Sequence, residues 1–259
     1  MSSQNLRVTL IQSNLHWENI DANLLMFEEK ISSVENTDVI LLPEMFSTGF
    51  SMKPEMFAEE MRGKFFKWMK NLSLKKNVVL CGSVMIKDSE KYFNRLIWMQ
   101  PDGNFFTYDK RHLFRMGEEN NHYNSGDKKI IVEWKGWKIC PLVCYDLRFP
   151  VWSRNTKNYD LLLYVANWPE RRIHAWKSLL VARSIENQCY TIGLNRVGED
   201  GNKIYHSGDS SVIDMKGEIL FQKSHEEIIH TIELSKSELE NYRKEFPVLL
   251  DRDEFDLKV

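Results

Sequence analysis

The chain is poor in the features that mark several large classes of protein. Only four cysteines occur in 259 residues, so a framework of disulfide bonds is not expected. The 35 basic and 37 acidic side chains give a net charge of −2, which excludes the basic surface typical of nucleic-acid binding. The longest apolar runs, such as Leu161–Ala166, are far shorter than the ~20 residues of a membrane-spanning helix. We therefore expect neither a nucleic acid nor a membrane as a partner.

Signals for metal binding and secretion are also sparse. The seven histidines form no His-x-x-x-His pair, and Cys140 and Cys144 do not have the C-x-x-C spacing of zinc and redox sites. No metal site is expected. The segment Met1–Asn5 lacks a charged region followed by an apolar one, so a secretory signal is not expected either. Cys81, Cys140 and Cys189 lie in strand-like surroundings as small core residues, which favours a cytoplasmic protein.

What the chain does contain is a regular alternation of strand-like and helix-like segments, without a linker. This alternation predicts an α/β fold in which helices face a sheet. We expect one domain over residues 1–259, with a core of about residues 5–235 and a tail at 236–259 that docks on its own domain or crosses to another subunit. The expected strands and helices are Leu6–Gln12, Ile20–Glu35 (helix), Val39–Leu42, Met61–Lys75 (helix), Val78–Met85, Leu96–Met99, Phe105–Tyr108, Lys138–Cys144, Pro150–Arg154 (helix), Leu161–Ala166, Ile173–Glu186 (helix), Tyr190–Asn195, Ser211–Asp214 and Glu218–Gln222.

The most informative segment joins a buried strand to a polar turn. The apolar run 139–143 leads directly to Cys144, and the turn begins at Tyr145. A nucleophile in this position is held rigidly, and the N–H groups of the turn can face an oxyanion. Cysteine suits the role because its thiolate is strongly nucleophilic. A buried cysteine at a strand end more often serves only in packing, so Cys144 needs support from elsewhere in the chain.

Two earlier polar residues follow strand-like runs in the same manner. Glu44 comes after Val39–Leu42 and Pro43, at the carboxyl end of a strand, where open α/β sheets bind their ligands. Lys110 comes after the aromatic run 105–109. Taken alone, each is more simply explained as a solvated surface charge. The information lies in the combination of the three segments.

Together, these three segments resemble the nitrilase (carbon–nitrogen hydrolase) superfamily. The resemblance extends over nearly the whole chain, and it implies a four-layer αββα sandwich as a single domain. Additional segments resemble the omega-amidase branch of the superfamily. The segments that carry the superfamily resemblance are Leu42–Glu44, Tyr108–Leu113 and Val143–Pro150, and those that carry the branch resemblance are Tyr164–Pro169, Ala182–Gln188 and Asn195–Gly198.

The resemblance implies a catalytic group of Glu44, Lys110 and Cys144. Glu44 would be the general base, and Cys144 would attack an amide carbonyl to form a thioester. Lys110 would stabilise the oxyanion together with the backbone N–H of Tyr145. This chemistry is reasonable because burial raises the pKa of a glutamate, and a nearby ammonium favours both a thiolate and an oxyanion.

The superfamily commonly has a second glutamate after the lysine, and this chain offers two adjacent candidates. Glu118 and Glu119 both lie in the segment from Met116 to His122. The register of that segment favours Glu119, with Glu118 as the alternative.

Candidates for substrate binding lie near the nucleophile and after the strand Leu161–Val165. Trp168 would line the mouth of the pocket, although a packing role explains it equally well. Arg148 and Arg171-Arg172 are candidates for binding an acidic substrate, because a guanidinium group can bind a carboxylate through two hydrogen bonds. A surface ion pair is the simpler explanation for any one of them.

The branch resemblance implies an omega-amidase that needs no cofactor. Its substrates would be short 2-oxo dicarboxylic acid monoamides, and water would complete the hydrolysis. One alternative is an amidase or N-carbamoyl amide hydrolase of another branch. A non-catalytic interaction scaffold is a different class of function, but such proteins usually lose a catalytic residue, and all three are present here.

Quaternary structure is expected from the superfamily as well. Its subunits commonly pair through helices of the sandwich. In this chain the segment Phe149–Arg154, immediately after the nucleophile, is the expected contact, and we expect a homodimer.

Overall fold

The computed structural model describes residues 5–258 and consists of two seven-stranded sheets covered by helices. Residues 1–4 and 259 lie outside the described part. The segment Met1–Asn5, from which no secretory signal is expected, therefore lies mostly outside it. The strands are β1 (Leu6–Gln12), β2 (Val39–Leu41), β3 (Glu59–Glu60), β4 (Val79–Asp88), β5 (Lys91–Met99), β6 (Phe105–Asp109), β7 (Val132–Trp134), β8 (Trp137–Val143), β9 (Leu161–Ala166), β10 (Tyr190–Asn195), β11 (Val197–Glu199), β12 (Tyr205–Ile213), β13 (Ile219–Ser224) and β14 (Ile228–Leu234). The helices are α1 (Ile20–Ser32), α2 (Pro54–Phe57), α3 (Lys64–Lys76), α4 (Glu119–His122), α5 (Pro150–Ser153), α6 (Ile173–Asn187) and α7 (Lys236–Glu245).

Each sheet has parallel strands at its centre. The first has the order β14-β1-β2-β4-β5-β6, with β3 paired to β4, and its strands β1, β2 and β4 are parallel. The second has the order β11-β12-β10-β9-β8-β7, with β13 paired to β12, and its strands β8, β9 and β10 are parallel. The carboxyl ends of parallel strands meet at one edge of a sheet, which is where α/β proteins place their sites.

Alternate side chains of the central strands face different layers. In β2, Val39 and Leu41 belong to a core shared with the second sheet, whereas Ile40 packs in a cluster with Phe27 of α1 and Phe65 of α3. Both faces of the strand are buried, so its sequence is a continuous apolar run rather than an alternating one. On the outer face of the second sheet, α6 packs against β10 and β12. The four layers confirm the expected αββα sandwich.

Several element boundaries differ from those expected. The expected helix at 20–35 ends at Ser32, and the one expected at 61–75 begins only at Lys64, because Arg62 has φ +72° and Gly63 is the capping residue. The expected strand at 211–214 is the end of the longer β12, whose polar residues obscure its strand character. No helix among residues 5–258 is long and apolar enough to cross a membrane.

The carboxyl-terminal part of the chain packs against its own domain through β14 and α7. Strand β14, which was not expected, pairs antiparallel with β1 at the edge of the first sheet. Helix α7 follows, and its Leu239 is fully buried. Asp160 accepts hydrogen bonds from Lys236 and from Nη1 of Arg243, the latter at 2.9 Å, so both ends of the helix are attached to the second sheet's side of the sandwich.

Candidate active site

Glu44, Lys110 and Cys144 come together although they belong to different sheets. Glu44 follows β2 and Lys110 follows β6 in the first sheet, and Cys144 follows β8 in the second. Lys110 and Cys144 line an open cavity of about 380 Å³, and Glu44 lies behind them, fully buried. The site is therefore assembled where the strand ends of the two sheets meet.

Cys144 occupies a strained turn at the end of β8. Its φ is +44°, in the left-handed region that residues other than glycine adopt only at an energetic cost, and it begins the 3₁₀ turn Cys144–Arg148. Burial and the negative charge of Glu44 raise the pKa of the thiol well above 9.0, and the opposing effect of Lys110 is smaller. The ammonium group thus acts in the expected direction but does not prevail, so the resting group is a neutral thiol.

The carboxylate of Glu44 is held by three donors. Oε1 accepts hydrogen bonds from Nζ of Lys110 and from Nδ2 of Asn94, both at 2.8 Å. Oε2 accepts one from the backbone N–H of Asn167, also at 2.8 Å. Since a carboxylate oxygen can accept two hydrogen bonds, Oε1 is saturated and Oε2 keeps one free acceptor position. Of the two oxygens of Glu44, Oε2 is therefore the one that can accept a hydrogen bond from a further donor.

Lys110 forms a buried ion-pair cluster with two glutamates. Besides its contact with Glu44, its Nζ lies 3.0 and 2.9 Å from the two carboxylate oxygens of Glu119, and all three side chains are fully buried. Burial alone would lower the pKa of Lys110, but the charges of Glu119 and Glu44 raise it above 10.5. Lys110 is therefore a permanent cation, suited to stabilising an oxyanion.

Of the two adjacent glutamates, Glu119 is the one that contacts the cluster. Glu118 has φ +60° and is the left-handed capping residue before α4, and the side chain of Glu119 that follows it is fully buried. Oε2 of Glu119 also accepts a hydrogen bond of 2.6 Å from the N–H of Phe114. Burial raises the pKa of Glu119, and Lys110 only partly offsets this rise. Glu118 is exposed.

The remaining sequence candidates lie in the wall of the cavity. Tyr145 and Trp168 both line it, and the guanidinium of Arg148 lies 5.0 Å from the ring centroid of Trp168, an arrangement typical of a cation–π contact. Arg171 lines the cavity as well, and Arg172 beside it lies 4.9 Å from the ring centroid of Phe114.

The three arginines form a positively charged wall. Within the described part of the chain, Arg148, Arg171 and Arg172 make no salt bridge with a carboxylate. Burial, followed by the charges of Arg171 and Arg148, lowers the pKa of Arg172. Asp200 also lines the cavity, but three neighbouring arginines without an ion pair outnumber it and can attract an anion into the cavity.

Two residues that contact Glu44 were missed from the sequence. Asn167 follows β9 just as Glu44 follows β2, so the same pattern of a polar residue after a buried strand would have found it. Asn94 lies in the middle of β5 and bridges the two glutamates, with Nδ2 at 2.8 Å from Glu44 and 3.2 Å from Glu119. The residues around Asn94 in the sequence give no sign that it belongs to the site. Over residues 5–258, the His, Cys, Asp and Glu side chains form no group of three or more that could hold a metal ion.

Comparison with known proteins gives matches over nearly the whole chain. Residues 7–244 match the family model described as carbon-nitrogen hydrolase. The chain is 47% identical to the Omega-amidase YafV of Escherichia coli (strain K12), covering 97% of this chain and 98% of that protein. It is 34% identical to the 2-oxoglutaramate amidase of Bacillus subtilis (strain 168), covering 87% and 88%. Among solved structures, XC1258 from Xanthomonas campestris, a CN-hydrolase superfamily protein with an arsenic adduct in its active site, is similar with a TM-score of 0.96 and 40% identity, covering 98% and 100%.

Proposed function

The chain belongs to the carbon–nitrogen hydrolase (nitrilase) family, in its omega-amidase branch, and on this basis we propose that it hydrolyses the terminal amide of short 2-oxo dicarboxylic acid monoamides. 2-Oxoglutaramate and 2-oxosuccinamate are the expected substrates, and ammonia and the 2-oxo dicarboxylate are the products. The observation that carries the proposal is the buried Glu44–Lys110–Glu119 cluster, with N···O contacts of 2.8 to 3.0 Å, next to Cys144 in the wall of the cavity.

Acylation would begin from the neutral thiol. Oε2 of Glu44 takes the proton of Cys144 as Sγ forms a bond to the amide carbon. The carbonyl oxygen becomes an oxyanion that Lys110 stabilises, together with the N–H of Tyr145. When this intermediate collapses, the carbon–nitrogen bond breaks, Glu44 returns the proton to nitrogen, and ammonia leaves a thioester on Cys144.

Deacylation would use the same groups. A water molecule gives a proton to Glu44 and attacks the thioester carbon, and Lys110 again stabilises the oxyanion. The carbon–sulfur bond then breaks, the thiolate of Cys144 recovers its proton from Glu44, and the carboxylic acid product is released. Glu119 holds Lys110 in place throughout, because both of its oxygens contact Nζ.

The arginine wall supplies selectivity for an acidic substrate. The carboxylate at the 2-oxo end of the substrate would bind Arg148, Arg171 or Arg172, while the amide end reaches Cys144. Trp168 would form the surface on which the chain of the substrate lies.

The first test measures ammonia release from 2-oxoglutaramate and 2-oxosuccinamate by the wild type, Cys144→Ala and Cys140→Ala. Cys140 is a matched control, because it lies four residues earlier in β8 and is fully buried. We expect turnover by the wild type and by Cys140→Ala, and none by Cys144→Ala. A folded wild type without turnover would reject the omega-amidase assignment, and turnover by Cys144→Ala would reject the mechanism.

We also propose that the protein acts as a cytoplasmic homodimer. Val151 of α5 and Ile185 of α6 are each about half exposed, at 49% and 50%. Helix α5 contacts the turn that begins at Cys144, and α6 covers the second sheet. All four cysteines are free thiols, in keeping with a reducing compartment. Sedimentation at micromolar concentration tests the dimer, and a monomer there would reject it.

A further inference from the structure

The nucleophile and the cation of the site belong to different sheets, so some contact must fix the distance between them. Cys144 leaves β8 of the second sheet, and Lys110 leaves β6 of the first. In near-attack geometry a displacement of about 1 Å reduces a rate by about 100-fold. The residues that join these two strand ends therefore bear directly on the rate.

A single buried carboxylate joins them. Oδ2 of Asp146 accepts hydrogen bonds from the hydroxyl of Tyr108 at 2.7 Å and from the N–H of Val143 at 3.0 Å. Oδ1 accepts two from His112, one from its backbone N–H at 3.0 Å and one with Nδ1 at 2.8 Å. The side chain of Asp146 is fully buried.

The partners of this carboxylate are next to the reacting groups on both sides. Val143 immediately precedes Cys144, and Tyr108 and His112 each stand two residues from Lys110, one before it and one after it. Asp146 is thus hydrogen-bonded to the residue before Cys144 and to residues on both sides of Lys110 in the sequence.

The partners are themselves held in place. The hydroxyl of Tyr108 accepts a hydrogen bond of 2.9 Å from Nε1 of Trp152, and a second one of 3.2 Å from the N–H of Arg111. The ring of His112 stacks on that of Phe149, with 3.7 Å between the ring centroids. A carboxylate with four hydrogen bonds to such partners forms a rigid connection rather than a loose one.

We propose that Asp146 is a positioning residue that sets Cys144 at its working distance from Lys110. It touches neither reacting group and acts through Val143, Tyr108 and His112. This inference rests on the proposed function, since it assigns Asp146 a part in the same reaction.

The test compares Asp146→Asn with Asp160→Asn. Asp160 is a matched control, because it is also a buried carboxylate with several donors, among them the N–H of Lys138 at 2.9 Å, and it attaches α7 away from the cavity. For 2-oxoglutaramate we expect Asp146→Asn to lower kcat by about 100-fold and to change KM by less than about threefold. Asp160→Asn should lose stability without losing kcat per folded molecule.

Two further measurements keep the inference testable. If Asp146→Asn does not fold, Tyr108→Phe takes its place. It removes the hydrogen bond to Asp146 and the two that the hydroxyl accepts from Trp152 and Arg111, but no charge, and should lower kcat by about tenfold. Alkylation of Cys144 by iodoacetamide, followed by mass spectrometry of its peptide, needs no substrate and should be slower in Asp146→Asn. A kcat within twofold of wild type in the folded variants, or an unchanged or faster alkylation rate, would overturn the positioning role. A wild type that is alkylated but does not turn over 2-oxoglutaramate would reject only the proposed function.

Discussion

The backbone N–H of Asn167 donates a hydrogen bond of 2.8 Å to Oε2 of Glu44, across 123 residues of sequence. The side chain of Asn167 adds a second bond, of 2.6 Å, from Nδ2 to the backbone oxygen of Glu44. Glu44 follows a strand of the first sheet and Asn167 follows a strand of the second. The carboxylate of Glu44 is therefore oriented by both sheets, and its position depends on how they pack.

We expect Asn94 to be essential, because it reduces the electrostatic repulsion between the carboxylates of Glu44 and Glu119. Its Nδ2 donates to both of them, so Asn94→Asp replaces a shared donor with a third buried carboxylate. We expect kcat for 2-oxoglutaramate to fall by about 100-fold or more, and by less in Asn94→Ala, because loss of a donor is milder than added repulsion. Asn155→Asp is the control, since Asn155 is a buried asparagine that binds the backbone oxygens of Tyr159 and Asn187. Equal losses in the two Asp variants would contradict a specific role for Asn94.

The choice between the adjacent glutamates is tested by a matched pair of substitutions. Glu119→Gln removes a charge that contacts Lys110 at 2.9 Å, and it should lower kcat by about 100-fold or more. Glu118→Gln changes an exposed side chain and should leave kcat within about twofold of wild type. Steady-state kinetics on 2-oxoglutaramate decides the matter, and the reverse ranking would give the role to Glu118.

The sequence was sufficient to locate three polar residues that stand at strand ends. Glu44, Lys110 and Cys144 each stand after an apolar run, and a strand end is a position that local pattern can define. The register of the segment from Met116 to His122 also favoured Glu119 over Glu118, and Glu119 is the one that contacts Lys110. The left-handed backbone at Glu118, which is rare for glutamate, was not predicted.

Contacts between residues far apart in the sequence could not be predicted in the same way. Asn94 reaches Glu44 over a separation of 50 residues, and its position inside β5 resembles that of any inward-facing strand residue. The bond from Asn167 to Oε2 of Glu44 comes from a backbone N–H, which almost any residue type would supply. Strand β14 was missed because it lies at a sheet edge with alternate residues partly exposed, so it lacks the continuous apolar run of the central strands.

The pH dependence of kcat should reflect the buried cluster. Burial raises the pKa of Glu119 above 4.5, so as the pH falls the cluster takes up a proton before an ordinary glutamate would. Protonation of Glu119 removes the charge that holds Lys110 in place, and we therefore expect an acid limb of kcat with its midpoint above pH 4.5. On the alkaline side, the pKa values of Cys144 and Lys110 are raised well above 9.0 and above 10.5, so kcat should stay level from pH 7 to 9.

The measurement is kcat for 2-oxoglutaramate from pH 4 to 9, with Glu118→Gln as the control that should retain the same acid limb. A midpoint at or below pH 4.5 would show that burial does not raise the pKa of Glu119 in the way we expect. A rise in kcat between pH 7 and 9 would indicate that activity follows formation of a thiolate, contrary to a resting neutral thiol.

The arginine wall should discriminate between acidic and neutral amides. Arg148→Met and Arg171→Met keep an unbranched side chain in the cavity wall but remove the charge. For 2-oxoglutaramate we expect KM to rise by about tenfold, or ~1.4 kcal/mol of binding free energy, with little change in kcat. For butyramide, a neutral aliphatic amide, kcat/KM should change by less than about twofold, because no carboxylate is bound.

Arg115→Met is the control for the loss of a nearby positive charge, since Arg115 is exposed and does not line the cavity. If long-range attraction alone mattered, all three variants would raise KM alike, and added salt would remove the difference from wild type. If direct binding matters, Arg115→Met should behave as wild type, and the effect of Arg148→Met or Arg171→Met should persist at high salt. Equal effects on the acidic and the neutral amide would exclude anion recognition by these arginines, and selectivity would then have to come from the shape of the aromatic wall around Trp168.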